Sequence, residues 1–359
     1  MIPARQMIAM KKKHCKRRYL TASLLLLAIL IGCEKTGNES TVREITSTTG
    51  VFGGDADSDV GRELVQIDKP EKVHISTPRG KRGEISVSKD GTTIYVHNWV
   101  DIGRLSDKRT TKAEKIVFCK DAGIRVDWDA DYIYQSWLHD APLVKELEVE
   151  KGNPYLYAVD DMLVQRAGAG YDEDSETELE TLMLCVPGKS GEIRIPEGVQ
   201  SVYEHAFLGC SLITSVFLPA SVETVGNAAF GKMKSCVSIQ ADEGNQYYDS
   251  RDGVLYGKAL GASEYPCIAA YPAGRKDAVY EKAPEYIEEI QEGAFFGADH
   301  LREVYLPSRV RFIRSAAFQK CKNLRKVTVK NKKRISVVEG SAFEDCPRLK
   351  EWVKEKGKL

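Results

Sequence analysis

The stretch EHAFLGCSLITSVFLP, residues 204–219, sets His205 five residues before Cys210. An imidazole beside a thiol can act as base and nucleophile, or as half of a metal site. The rest of the chain offers little to complete either arrangement. Nine cysteines are present, at positions 15, 33, 119, 185, 210, 236, 267, 321 and 346, and no two form a Cys-x-x-Cys pair. The histidines beyond residue 32 are His74, His97, His139, His205 and His300, with no His-x-x-x-His among them. There is no Gly-x-Ser-x-Gly elbow and no complete phosphate loop.

Two acidic clusters raise calcium binding, Asp55, Asp57 and Asp59 in one, Asp127, Asp129 and Asp131 in the other. An EF-hand loop needs Gly at its sixth position and Glu at its twelfth. Counted from Asp55 these places hold Val60 and Gln66, and from Asp127 they hold Tyr132 and Leu138. Both clusters therefore read as solvated loop acids. YDEDSETELE, residues 171–180, reads as an acidic loop. Paired carboxylates could serve a glycosidase only at a fixed separation in space, which sequence spacing does not supply. The expectation is a chain with no catalytic residues, no metal and no cofactor.

The elements around these residues say more. The chain has 359 residues, 42% hydrophobic and 29% charged, a normal balance for a globular protein. Formal charge is zero, but the first 32 residues carry seven Lys/Arg and no acid, leaving 45 basic against 52 acidic residues in the remainder. A mildly acidic body disfavours nonspecific nucleic-acid binding. The basic stretch runs into an apolar segment, Ala22–Ile31, too short to span a bilayer and right for a signal peptide. Leu30-Ile31-Gly32-Cys33 resembles the lipobox of bacterial lipoproteins. That resemblance implies cleavage before Cys33 and acylation of its thiol and new amine. Residues 34–50, polar and Ser/Thr-rich, then read as a tether.

The dipeptide Ala-Phe recurs at 206–207, 229–230, 294–295, 317–318 and 342–343. Ten residues before the first four lie Pro196, Pro219, Pro284 and Pro307, with branched apolar residues three and six places after each proline. Apolar residues return six and nine places after Phe207, Phe295, Phe318 and Phe343, and alternating runs such as ITSVFL and LREVYL predict half-buried strands. Cys210, Cys321 and Cys346 each fall three places after a repeat Phe, where other copies have Met233 and Ala298, so they read as buried structural thiols. A longer period overlies this one: NPYLYAVDDMLV (153–164) matches NQYYDSRDGVLY (245–256), and VPGK (186–189) matches YPAG (271–274). Each pair predicts a hairpin-like insert ahead of two short repeats.

The five copies resemble the BspA-type leucine-rich repeats of bacterial surface proteins. The resemblance implies a β-rich solenoid with one parallel strand and a tight turn per repeat, and a role in adhesion. No single repeat can bury its own apolar stripe, so neighbours must stack. The predicted organisation is a signal peptide over 1–32, a lipidated Cys33 and tether over 33–50, a small β-rich cap over 51–114, and the solenoid over 115–359, whose first copy is a diverged one around Leu138. Phe207, Phe230, Phe295, Phe318 and Phe343 are its predicted core.

Outward strand positions would form two rows on one face. One row holds Glu148, Phe217, Gln240, Tyr305 and Thr328, and the other includes Glu303 and Lys326. Phe217 and Tyr305 would then be aromatic contacts for an extracellular or envelope protein or a glycan, unless the inserts cover that face. The alternative to adhesion is an accessory envelope lipoprotein that scaffolds partners. If the Cys33 reading holds, Cys33→Ala abolishes acyl labelling and releases the protein from membranes; a variant still retained in the membrane fraction contradicts it.

Overall fold

A computed structural model describes residues 71–75, 83–101, 108–125, 138, 140–170, 178–260 and 263–350. Among these residues the structure is a β-solenoid of parallel strands and turns, with helix confined to the 3-10 turns Lys108–Thr110 and Lys332–Arg334. No helix of the described residues is long and apolar enough to cross a membrane.

One coil shows how the sequence pattern is used. Strand Ile213–Leu218 alternates, with Ile213, Val216 and Leu218 buried. Pro219 fixes the corner that follows, its carbonyl accepting from Val222 N, as Pro196, Pro284 and Pro307 do from Val199, Ile287 and Val310. That bond turns the residue three places after each proline into the core. A two-residue strand, Thr224–Val225, follows, and then the Ala-Phe turn. Equivalent strands of successive coils pair in parallel: Val216 lies opposite Ile239, and Val202 opposite Val225.

The Ala-Phe turn requires two left-handed residues. The residue before Ala has positive φ in His205, Ala228, Gly293 and Ala316, and the second residue after Phe does so in Gly209, Lys232, Gly297, Lys320 and Asp345. Each such residue other than Gly costs roughly 1 kcal/mol or more. Stacking offsets that cost. Phe207 N donates to Ala229 O at 2.8 Å, Phe295 N to Ala317 O at 2.7 Å, and Phe318 N to Ala342 O at 2.8 Å. The rings stack with the same spacing: Phe207 on Phe230 at 5.3 Å, Phe295 on Phe318 at 4.7 Å, Phe318 on Phe343 at 5.2 Å. The first four of these phenylalanines are buried and Phe343 is half-buried at the end of the stack. Burial contributes up to about 3 kcal/mol per ring, and stacking about 1 kcal/mol more.

Both predicted inserts are hairpins, Leu156–Val159 with Met162–Gln165 and Tyr248–Arg251 with Val254–Lys258. Their tips, Asp160-Asp161 and Asp252-Gly253, are pairs of left-handed residues, as tight hairpins prefer. A third strand joins each antiparallel, Thr181–Cys185 and Pro266–Ala270. These strands are buried on both faces: Met162, Val164 and Leu182 face one core segment, while Leu163, Met183 and Leu184 face the preceding one. Leu255 and Cys267 divide from Val254, Tyr256 and Ile268 in the same way. The hairpins are therefore internal walls between successive core segments, and TLMLC is buried at every position for that reason.

The conserved points of the longer period pin these walls in place. Asn245 Nδ2 donates to the carbonyls of Pro219 and Val222, while its Oδ1 accepts from the amides of Tyr247 and Tyr248. Asn153 makes the same four bonds, to Cys119, Ala122, Tyr155 and Leu156. With every bond satisfied in a buried setting, each side chain contributes on the order of 1 kcal/mol per bond. VPGK and YPAG pass so close to the preceding coil that a Cβ at Gly188 would lie 2.6 Å from Lys145 Cβ, and one at Gly274 2.6 Å from the Ser235 carbonyl carbon. The basic residues that follow hold the hairpin tips: Lys189 pairs with Asp160 at 2.5 Å, and Arg275 with Asp252 at 3.2 Å.

The long strands form three separate three-stranded panels. Thr93–Val96, Lys115–Phe118 and Glu146–Val149 make the first, extended by the antiparallel strands Gly83–Val87 and Glu71–Ile75. Gly191–Arg194, Ile213–Leu218 and Ser238–Ala241 make the second; Val279–Tyr280, Glu303–Leu306 and Lys326–Val329 make the third. A hairpin ends each of the first two. Leu147 N on the first panel's edge donates to Asp161 Oδ1, and Ile239 N on the second panel's edge donates to Gly253 O. Edge amides that would otherwise pair with another chain are thus capped. The rim of the Ala-Phe turn, by contrast, runs on past the second insert, with Ala228 N donating to Glu292 O and Lys232 N to Phe296 O. Inside it Tyr271, in place of Phe230, stacks on Phe295 at 5.0 Å, and its amide donates to Ala294 O.

Candidate functional site

His205 and Cys210 do not form a reactive pair. His205 occupies the left-handed position of its turn, is buried, and burial alone lowers its pKa to about 4, so it is neutral near pH 7. Cys210 is buried, and its thiol donates to the carbonyls of Cys185 and Val186 at 3.5 and 3.7 Å. The seven cysteines among the described residues are free. Burial pushes the Cys236 and Cys267 thiols up to about 12 and those of Cys185 and Cys321 well above the usual thiol range, which suppresses the nucleophilic thiolate.

The arrangement closest to a catalytic one was not visible in the sequence. His97 Nε2 lies 2.6 Å from Ser86 Oγ, and His97 Nδ1 lies 3.5 Å from Cys119 Sγ. Three strand segments 11 and 22 residues apart bring these groups together. Ser86 is fully buried, so its hydroxyl cannot meet a substrate. Burial and then the Glu150 charge raise the Cys119 thiol, holding the proton on sulfur. The three side chains form a hydrogen-bond chain that ties the first panel together, not an activated nucleophile.

The predicted outward rows face away from the core and are divided among the three panels. Glu148 is on the first, where it pairs with Lys115 at 2.5 Å. Phe217 and Gln240 lie opposite each other on the second. On the third, Tyr305 lies opposite Thr328 and Glu303 opposite Lys326, with the Tyr305 hydroxyl donating to Glu303 at 2.6 Å. Phe217 and Tyr305 are both half-buried. The hairpin inserts do not cover either residue; the second one instead builds a wall beside the second panel.

That wall makes a cleft of about 890 Å³ between the second panel and the hairpin Tyr248–Lys258. Phe217, Ser238 and Gln240 line it from the panel. Asp249, Asp252 and Lys258 line it from the hairpin, with Arg275 closing one end. Four carboxylates (the other two are Asp242 and Glu243) against two basic groups leave the lining net negative. Lys258 is held by the Asn245 carbonyl at 2.6 Å, and Arg275 by Asp252 and by Asp277 at 2.6 Å. Arg194 lies opposite Phe217 in register and sets its guanidinium 3.8 Å from the ring centroid. Sequence reasoning missed Arg194 because its strand precedes the first Ala-Phe copy. GEIRIP, ending at Pro196 as ITSVFLP ends at Pro219, carried the signal.

Cys33, Asp55, Asp57, Asp59, Asp127, Asp129, Asp131 and His139 lie outside the described residues. Among the described residues no group of three His, Cys, Asp or Glu side chains is placed to hold a metal ion.

Comparison with protein families matches residues 188–251 and 279–357 to the BspA type leucine rich repeat region, in six copies. No curated protein matches the chain. Solved structures with similarity include a leucine-rich repeat protein from Eubacterium ventriosum, 14% identical over 74% of this chain and 81% of that one, with a TM-score of 0.42. A leucine rich cell surface protein from Faecalibacterium prausnitzii is 16% identical over 77% and 87%, with a TM-score of 0.37. The pneumococcal vaccine antigen PcpA is 14% identical over 72% and 71%, with a TM-score of 0.35.

The buried imidazole has a pH signature. A folded pKa of about 4 against 6.5 unfolded means that the unfolded chain binds the proton preferentially between these values. Stability from this group is complete above pH 6.5 and falls as pH drops toward 4, by on the order of 3 kcal/mol. His205→Gly, which places at 205 the residue found at 293, should fold and flatten that part of the acid profile. Urea denaturation at pH 7, 5.5 and 4 measures it, and an unchanged profile contradicts the account.

Proposed function

We propose that the chain, whose residues 188–251 and 279–357 match the BspA type leucine rich repeat region, is an exported, lipid-anchored binding module that performs no catalysis. Its macromolecular ligand, an extracellular or envelope protein or a glycan, enters the cleft beside the second panel. The observation that carries this reading is the cleft itself, where Phe217 and Gln240 stand in a lining that is net acidic. A flat aromatic next to carboxylates and an amide suits a partner rich in hydrogen-bond donors, such as sugar hydroxyls or Lys and Arg side chains of a protein. Repeat solenoids of this kind typically present binding surfaces instead of reactive groups, and the buried, protonated thiols and neutral His205 support the absence of catalysis. Anchoring rests on the 1–33 segment and its lipobox-like end. Surface or outer-membrane placement is an expectation of the same reading.

The test is binding of the chain from residue 34 onward to immobilised extracellular-matrix proteins and to a glycan panel. Phe217→Ala should weaken capture at least tenfold at unchanged stability, and Arg194→Ala should weaken it less. Tyr305→Ala, on the third panel, should leave it intact. Capture unaffected by Phe217→Ala, or lost only with Tyr305→Ala, contradicts the cleft as the site.

A further inference from the structure

The third panel belongs to a strongly basic part of the chain. Residues 302–334 hold twelve Lys/Arg and a single acid, Glu303. Three of the six arginines there are neutralised by neighbouring coils: Arg309 and Arg311 pair with Glu288, and Arg314 with Glu289 and Glu339. Lys330 pairs with Glu285. Lys320 has no carboxylate partner among the described residues.

Lys320 sits at the second left-handed position of its Ala-Phe turn. Two coils back, across the second insert, the same position holds Lys232, and the coil between them holds Gly297. With no side chain on the middle coil, the two lysines reach toward each other over it. Both ammonium groups lie against the ring of Phe296, Lys232 Nζ at 5.0 Å and Lys320 Nζ at 5.9 Å from its centroid. Phe296 is itself buried, beneath Leu208 and Ala228 in a small apolar cluster outside the main core. Lys232 is half-buried, and Lys234, exposed, also lacks a carboxylate partner among the described residues. Lys322 faces Asp299 at 4.0 Å, and Asp345, on the next coil, makes no ion pair with Lys320.

Two like charges converging on one ring, one of them half-buried, repel each other and are costly to hold unless an anion joins them. Burial and then Lys320 lower the Lys232 pKa to about 8, consistent with such crowding. The apolar floor excludes water and strengthens any charge-assisted bond made above it. We propose that Lys232 and Lys320, spanning the Gly297 coil above Phe296, form a binding site for a phosphate or sulfate ester group. This site is separate from the cleft and does not depend on it. The compact convergence of two ammonium groups on one place favours a single tetrahedral oxyanion over an extended nucleic-acid backbone, which would need a longer row of unpaired cations. The ester could be carried by a sulfated glycan or a phospholipid headgroup, and free phosphate offers the same chemistry.

The test is calorimetry of the chain from residue 34 onward with inorganic phosphate, a sulfated disaccharide and vesicles containing an anionic phospholipid, at low and moderate salt. At least one probe should bind with a salt-dependent affinity, and the tightest identifies the source. Lys232→Gln and Lys320→Gln should each weaken that binding about tenfold, and the double variant should abolish it. Lys232→Gly, which puts at 232 the residue found at 209 and 297, repeats the loss in a form that suits the backbone. Phe217→Ala should leave oxyanion binding unchanged. No binding by any probe, or binding that survives the double variant, overturns the proposal, as does a single-stranded oligonucleotide that outcompetes all three probes.

Discussion

The fold depends on one turn. A coil must reverse within seven residues, present backbone N–H groups to the next coil, and still fill the space between coils. Two left-handed residues four places apart make the reversal, and the small Ala and the Phe between them fill the interior. Isolated, the turn is strained and its ring exposed. Stacked, each strained residue gains an inter-coil hydrogen bond and each ring gains a partner near 5 Å. The stability of one coil is therefore mostly an interface property, as expected of a quasi-one-dimensional protein.

The hairpins interrupt this regularity without breaking it. On the long-strand side they end one panel and cap its edge. On the turn side the stack passes them by, from Ala228 to Glu292. The same hairpin walls that divide the core also stand beside the first two panels, and the cleft next to Phe217 is the space between the second wall and its panel. The inserted segment thus supplies both a partition for folding and one side of the binding site. The omission of an Ala-Phe turn from the YPAG coil brings Lys232 within reach of Lys320, so the second proposed site also follows from the insert.

Much of this was legible in the sequence because it repeats. Spacing located the proline corners, the buried Val and Ile positions, the alternating strands and the Phe stack. It also showed that His205 stands where other copies carry Ala, Gly or Ser, and Cys210 where others carry Met, Ala or Cys, and the structure places both in a buried turn. What repetition could not show is where a copy is unique. The Ser86–His97–Cys119 chain, Arg194 over Phe217, and Lys232 and Lys320 over Phe296 come from contacts between distant segments. The role of the inserts was also hidden. Their alignment was clear and predicted hairpins, but the third strands TLMLC and PCIAA, which make each hairpin a wall between core segments, lie outside the matched segments. The division of the outward rows into panels was hidden as well, because it depends on how the hairpins cap the edges.

Native-state hydrogen exchange tests the continuous stack most directly. The amides of Phe207, Ala228, Lys232, Phe295 and Phe318 each donate to the following coil. They should exchange together, at the slow rate set by global unfolding, with no step between 232 and 295. If Ala228 and Lys232 instead exchange as fast as the exposed hairpin tip at Asp252 while Phe295 and Phe318 remain protected, the two repeat segments are separate bodies and the account of one stack is wrong.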